Sequence, residues 1–255
     1  WVALIGSGVV LNKDGSFQRT AKFRGPDLDS AVAAELVAVA GRLNNAFRRL
    51  GSGWAIFVEA QRTEAATYPD SRFPDPASAL VDAERRADFE EEGSHFVSGY
   101  FLTFLWLPPA EDAARSESWL YEGRETSGVN PWELVRGFID RTDRVLALLD
   151  GMMPECRWLD DAGTLTYLHS TISTNRHRVR VPEVPMYLDA LLADQPLTGG
   201  LEPRLGNQHL RVLTITGFPG TTTPGLLDEM NRLAFPYRWS TRAILMDKTD
   251  ATRLL

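Results

Sequence analysis

The longest strongly apolar run in the chain, Phe101 to Leu107, ends abruptly at Pro108-Pro109. A helix that crosses a bilayer needs about 20 apolar residues, so this run is far too short to span one. It reads as the core of a strand over His95 to Leu107, rich in Phe, Tyr and Trp. The chain is accordingly expected to be soluble. Its 255 residues, 44% hydrophobic and 24% charged, have the balance of an ordinary globular protein. That length suits one large domain or two subdomains, 1–150 and 151–255.

Other elements follow from local pattern. Val2 to Leu11 and Ser16 to Phe23 flank Asn12-Lys13-Asp14-Gly15, and Asp-Gly supplies the positive φ of a hairpin turn. Asp27 is placed to cap a helix running to Leu50, with Val32, Leu36, Val39, Leu43 and Phe47 on one face. Trp54 to Ala60 predicts a strand, and the polar stretch Gln61 to Phe73 a loop. Asp75-Pro76 starts a charged, solvent-facing helix to Glu92. Pro108 to Val129 has little pattern and is expected to be a mobile excursion; Asn130-Pro131 opens a helix that Gly151 ends. Leu159 to Ile172 is expected to be a hairpin or strand turning at Gly163, and Arg176 to Val181 an edge strand. A short helix over Pro185 to Ala193 follows. The last third predicts a strand over His209 to Phe218, a helix from Thr223-Pro224 to Leu233 and a strand over Tyr237 to Asp247. The class is α+β: a mainly antiparallel or mixed sheet with packed helices, the C-terminal piece resembling half of a ferredoxin-like split β-α-β unit. The chain opens on Trp1 and ends in a polar run after that strand, so an excised domain is expected.

Catalytic chemistry is excluded more readily than found. A phosphate-binding loop places a Lys directly after a Gly; Lys13, Lys22 and Lys248, the only lysines, follow Asn12, Ala21 and Asp247. Gly6-Ser7-Gly8 lacks the third glycine of a dinucleotide site and reads as a turn. Ala243 to Asp247 has the look of a strand ending in a magnesium-positioning Asp, but with no phosphate loop to serve it reads as a buried strand with a polar exit. His95, His169, His177 and His209 are scattered without ligand spacing, so no metal site is expected. Asp160-Asp161 reads as a turn; His169 and Ser170, adjacent in a strand, would point to opposite faces. Cys156 is alone, which precludes an intrachain disulfide, suits a reducing compartment and predicts a structural thiol. The net charge of -7 argues against a surface dedicated to nucleic acid. One polar cluster remains: in an extended segment Arg176, Arg178 and Arg180 would line one face, to guard a sheet edge, dock an acidic partner or bind phosphate.

Five stretches carry a family resemblance: GVVLNKDGSFQRTAKFRGPDLDS (Gly8 to Ser30), FVSGYFLTFLWLPPAEDAA (Phe96 to Ala114), TYLHSTIS (Thr166 to Ser173), PMYLDALLADQPLTGGLEPRLG (Pro185 to Gly206) and RWSTRAILMDKTDA (Arg238 to Ala251). They resemble the N-terminal part of the TrbE/CagE/VirB family of conjugation and type IV secretion ATPases. The resemblance covers essentially the whole chain and rests on extended strings with no catalytic signature. It implies a non-catalytic N-terminal domain, with a RecA-like ATPase domain expected after residue 255. ATP and Mg belong to that further domain, and no cofactor or metal is expected in this one. The family further implies docking to inner-membrane and other components of a secretion apparatus, contact with its own ATPase domain, and homo-oligomerisation. The implied place is the bacterial cytoplasm, peripheral at the inner membrane, where the motor energises pilus biogenesis and DNA or protein transfer. The alternative is a nucleic-acid-binding module of the transfer apparatus, using Arg176 to Arg180.

Overall fold

The structure, a computed structural model, describes residues 1–109 and 131–254, apart from 29, 66, 92, 94, 185, 218–219 and 222–226. The expected excursion over Pro108 to Val129 therefore lies almost wholly outside the described residues.

The two aromatic strands pair with each other over their full length. β4 (Trp54–Glu64) runs antiparallel to β5 (Phe96–Trp106), from Trp54 opposite Trp106 to Glu64 opposite Phe96. Pairing with β5 carries β4 past Ala60 to Glu64, where composition alone predicts a loop. The N-terminal residues divide into β1 (Ala3–Gly6), β2 (Val9–Leu11) and β3 (Phe17–Arg24), each antiparallel to the next. The single first strand of the expected hairpin is thus broken at the Ser7-Gly8 turn. β3 also pairs with β5, and its second half takes on β6 (Glu155–Trp158) beside β2. A three-stranded sheet of two-residue strands, β7 (Leu197–Thr198), β8 (Arg204–Leu205) and β9 (Gln208–His209), stands apart. β10 (Tyr237–Ile244) closes the order β1-β2-β3-β5-β4-β10 of the 7-stranded sheet. Every pairing in it is antiparallel.

Strand alternation sends side chains to two separate cores. On one face Phe17, Trp54, Phe104 and Trp106 meet Ala46 of α1 (Ala33–Phe47). They also meet Val135, Phe138, Val145 and Leu149 of α3 (Pro131–Asp150), while α2 (Pro76–Glu91) buries no residue at all. Phe138 stacks on Trp54 at 5.6 Å and tilts against Phe17 at 5.8 Å. α3 is also tied down by Arg19 of β3, buried beneath it: Nη1 donates to Asp143 at 2.7 Å and to Thr142 at 3.2 Å. On the opposite face Val10 and Phe101 pack with Leu165, Tyr167 and Leu168 of α4 (Asp161–Ile172) and with Leu188 and Leu192 of α5 (Leu188–Leu192).

Five expectations change. Leu159 to Ile172 is a helix and not a hairpin: the Asp160 carboxylate accepts from the Gly163 N–H at 2.6 Å, and Leu165, Leu168 and Ile172 then fall on the core face. Its β-branched residues favour a strand only weakly, and burial of that face overrides them. α1 starts at Ala33 and not after Asp27, because the Glu35 carboxylate takes the Val32 N–H at 3.1 Å. The described residues of His209 to Phe218 form no long strand; of these, His209 alone pairs, as part of Gln208–His209. A 3-10 turn, Asp228–Arg232, stands near the expected helix to Leu233, whose Thr223-Pro224 start lies outside the described residues. No ferredoxin-like strand–helix–strand unit forms among the described residues. The coarser class does hold, a mixed α/β fold with antiparallel sheets and packed helices. The chain after β10 continues as α6 (Lys248–Leu254).

Gly8 joins the two halves of this design. Its φ is +65°, its N–H donates to Asp161 at 2.7 Å, and a Cβ there would sit 2.5 Å from the Leu159 carbonyl oxygen. Gly8→Ala is therefore expected to lower stability by about 2 kcal/mol, from positive-φ strain and the backbone clash together. Gly41→Ala, in α1 with open space around the added methyl, should instead raise it by about 1 kcal/mol. Urea unfolding of the two variants should shift the midpoint in opposite directions with the slope unchanged.

Candidate functional site

The α4 side of the sheet is polar where β4, β10 and α4 meet. Glu59 of β4 is only 5% exposed. Arg238 of β10 stands opposite Gln61, the next residue of β4 on the same face as Glu59, and reaches both Glu59 carboxylate oxygens at 2.6 Å. Gln61 Nε2 donates to Glu59 at 2.6 Å and the Tyr167 hydroxyl donates at 3.4 Å. Thr103 donates to that hydroxyl at 3.3 Å and shares a hydrogen bond with Thr20 at 2.9 Å. Burial, and then the charge of Glu59, raises the Tyr167 phenol above its ordinary pKa. One charge pair and its neutral neighbours satisfy each other, as a charge under a helix must be satisfied.

The C-terminal end of α4 gathers a second positive charge. The Ser170 carbonyl accepts from Arg238 at 3.0 Å and from Arg176 at 3.3 Å. Burial first, and then the neighbouring Arg238 charge, holds the Arg176 guanidinium below its usual pKa. The three arginines thus part company. Residues 176–181 form no strand, edge or otherwise. The Val179 N–H goes to Thr166 of α4 at 3.0 Å, and the Val179 side chain is buried against the helix. Side-chain bonds to α4 replace the ladder that an edge strand would need. Arg178 lies 3.9 Å from Asp160, Arg180 is exposed, and Arg176 is turned onto Ser170.

Beside them His169, buried in α4, shares a hydrogen bond from Nε2 with Asp194 at 3.0 Å. Asn175 donates to the same carboxylate oxygen at 2.8 Å, and hydrogen bonding from Asn175 and Ser173 holds Asp194 well below the usual carboxylate range. The His177 ring lies 4.4 Å from that of His169. A cavity of about 550 Å³ opens here, lined by Gln61, Phe101, Tyr167, His169, Ser170 and Arg176 among others. A second, of about 680 Å³, lies beyond Arg176 and takes in Arg62, Thr171, Tyr237 and Arg238. Glu59, Tyr167, Asp194 and Arg238 escape the sequence reading, which names His169 but sets it aside as one of four scattered histidines. The one signal that could have found them is the charge of Glu59 inside the otherwise apolar run Trp54 to Ala60.

The remaining sequence candidates have structural employment. Asp247 closes a latch with the turn before β4: its N–H donates to Ser52 Oγ at 3.0 Å and its carboxylate accepts from the Ser52 N–H at 3.3 Å. Ser52 Oγ also meets Asp250. Cys156 is buried in β6, and burial, then the Asp150 charge, pushes its thiol up to about 11.

Two outcomes follow. Arg238→Ala leaves the Glu59 charge buried without its partner and should cost about 3 kcal/mol, the lower end for such pairs because the guanidinium is partly exposed. Glu59→Gln combined with Arg238→Ala should recover part of that loss in a double-mutant cycle read by urea unfolding. The Cys156 thiol binds its proton more tightly in the fold than in the unfolded chain. Its contribution to stability is therefore present below about pH 9 and lost as pH rises toward about 11. Iodoacetamide should label the native chain only slowly at pH 8 and rapidly once urea unfolds it.

Comparison with known proteins fits this inventory. Residues 8–114 match the family model described as type IV secretion system ATPase VirB4/TrbE, N-terminal domain. Conjugal transfer protein TrbE of Rhizobium radiobacter is 34% identical over 269 aligned residues, covering 98% of this chain and 33% of the relative. The chain thus spans about a third of that relative's length. In Sinorhizobium fredii a probable conjugal transfer protein TrbE is divided into two pieces, and both are similar to this chain. The first piece is 40% identical over 111 residues, 42% of this chain and 74% of the relative. The second is 36% identical over 91 residues, 36% of this chain and 14% of its own length. With 34% identity to one such relative along almost its whole length and 40% identity to most of another, the chain belongs to the VirB4/TrbE family of type IV secretion system ATPases, and its residues 8–114 match that family's N-terminal domain.

Proposed function

We propose that this chain is a docking and oligomerisation domain of a conjugal transfer ATPase, one that energises pilus biogenesis and the transfer of DNA or protein. The observation that carries the reading is the alignment of 98% of the chain with 33% of a TrbE relative, in a sequence that lacks a phosphate loop. The lysines have other work: Lys13, in the turn before β3, pairs with Asp189 at 2.6 Å, Lys22 lies within β3, and Lys248 opens α6. In this reading ATP and Mg are handled by a RecA-like domain encoded beyond residue 255. The partners are that domain, further copies of the protein, and inner-membrane and other components of the secretion apparatus, met peripherally from the cytoplasm. No helix among the described residues is long and apolar enough to cross a membrane. Exposed apolar side chains on α1 and α2 (Val37, Leu80 and Val81) and along the unpaired stretch Val212, Leu213 and Ile215 support a surface meant for protein contacts. Arg178 and Arg180 can meet acidic side chains at such a contact.

The nucleic-acid reading is weaker, because Arg176 is committed to Ser170 and the chain carries a net charge of -7. Overproduced in a donor cell beside the intact ATPase, the chain should occupy docking sites and lower mating frequency at least tenfold. It should sediment with the inner-membrane fraction only when the transfer apparatus is present, and purified it should hydrolyse no ATP above background. Unchanged mating together with no apparatus-dependent sedimentation would reject docking. Salt-sensitive binding to DNA that is lost in Arg178→Ala/Arg180→Ala would favour the alternative.

A further inference from the structure

His169, His177 and Asp194 reach one point from three segments of the chain: the C-terminal end of α4, the segment that follows it, and the residue after the α5 cap. One potential ligand atom from each lies within 4.8 Å of the other two. Two imidazoles and a carboxylate are the donors that zinc and its neighbours in the transition series prefer, whereas magnesium favours oxygen donors and water.

The distances suit the smaller ions. His169 Nε2 and Asp194 Oδ2 are 3.0 Å apart. Two ligands on one tetrahedral zinc, at bonds of about 2.0 Å, stand about 3.3 Å apart. An ion between them needs only a few tenths of an ångström of movement. His177 is exposed, so its ring can turn inward without leaving a core position. The other nitrogen of His169, Nδ1, is buried and has no hydrogen-bond partner among the described residues. The Asp194 contact is thus the ring's only hydrogen bond there, and exchanging it for a metal bond sacrifices nothing else. Asn175 donates to that same Asp194 oxygen at 2.8 Å and so fixes the carboxylate's orientation, as outer hydrogen bonds do around metals. The nearby cations are already engaged, Arg176 by the Ser170 carbonyl and Arg178 by Asp160.

We propose that His169, His177 and Asp194 form a binding site for one divalent transition-metal ion, zinc foremost. The ion staples α4 to the segment bearing Arg178 and Arg180 and to the end of α5, and its fourth position takes water. The inference stands whether or not the chain docks a secretion apparatus.

The test uses the chain without an affinity tag, stripped with chelator. Calorimetric titration with zinc chloride at pH 7.5 should give one ion per chain, zinc should raise the melting temperature, and magnesium chloride should do neither. Cobalt(II) should develop the visible absorption of a tetrahedral N/O site. His177→Ala and Asp194→Asn should each weaken zinc binding at least tenfold. Because His177 is exposed, its variant should keep the far-UV circular dichroism of the parent. His209→Ala, which removes the separate exposed His209–Glu202 pair, should leave binding unchanged. No zinc binding up to millimolar concentration would overturn the proposal. So would binding that survives both His177→Ala and Asp194→Asn, or that His209→Ala abolishes.

Discussion

The register of β4 against β5 sets what each face of this protein can hold. With Trp54 opposite Trp106 and Glu59 opposite Phe101, one face receives the aromatic cluster under α3 and the other receives Glu59 and Thr103 under α4. A slip of one residue would turn Glu59 to the aromatic face and Trp54 to the opposite one. Both moves cost: the Glu59 carboxylate would part from Arg238, Gln61 and Tyr167, and the Trp54 indole would lose its stacking on Trp106 and Phe138. The aromatic packing and the Glu59–Arg238 pair therefore enforce the same register from opposite sides. The pair adds little net stability by itself, since desolvation offsets attraction, yet every wrong register strands it.

That dependence explains which regions of the fold are legible in the sequence. β5 can be recognised because its aromatic run is bounded by prolines. α3 is equally clear because Val135, Phe138, Thr142, Leu146 and Leu149 keep helical spacing and all are buried. Local pattern fails where a partner decides. α4 looks like a strand until Asp160 caps it and Val10 and Phe101 cover its apolar face. Gln61 to Glu64 is polar by composition and becomes strand only because β5 offers a matching edge. The arginine stripe fails in the opposite sense: its alternation is real, but Val179 is captured by Thr166 and no strand edge is supplied.

The polar cluster is hidden from the sequence for the same physical reason. Glu59 and Arg238 are brought together by pairing between strands far apart in the chain, and His169 meets Asp194 only after α4 and α5 have both packed on the second core. No spacing rule can find ligands that tertiary packing assembles. A scan for H-x-x-x-H-type patterns registers four scattered histidines, whereas the folded chain brings two of them within 4.8 Å of one carboxylate. Local propensity selects the elements; burial decides which polar groups share a site.

These contacts divide the α4 face into a rigid region and an adjustable one. Glu59 and Thr103 are anchored in the central strands β4 and β5 and tie down Tyr167 of α4 and Arg238 of β10, so the cluster cannot move without disturbing the sheet's own register. Residues 173–181 are held by side-chain bonds, among them Thr174 to Gln195, Asn175 to Asp194, Arg176 to Ser170 and Val179 to Thr166, and by the buried Val179 side chain, with no strand ladder. Such bonds open locally at far lower cost than a strand ladder. The exposed arginines of the chain's basic segment thus sit on the adjustable region, directly beside the His169–Asp194 pair. Any ligand gripping His169, His177 and Asp194 together would act on that segment first, tightening where Arg178 and Arg180 are presented while leaving the sheet untouched.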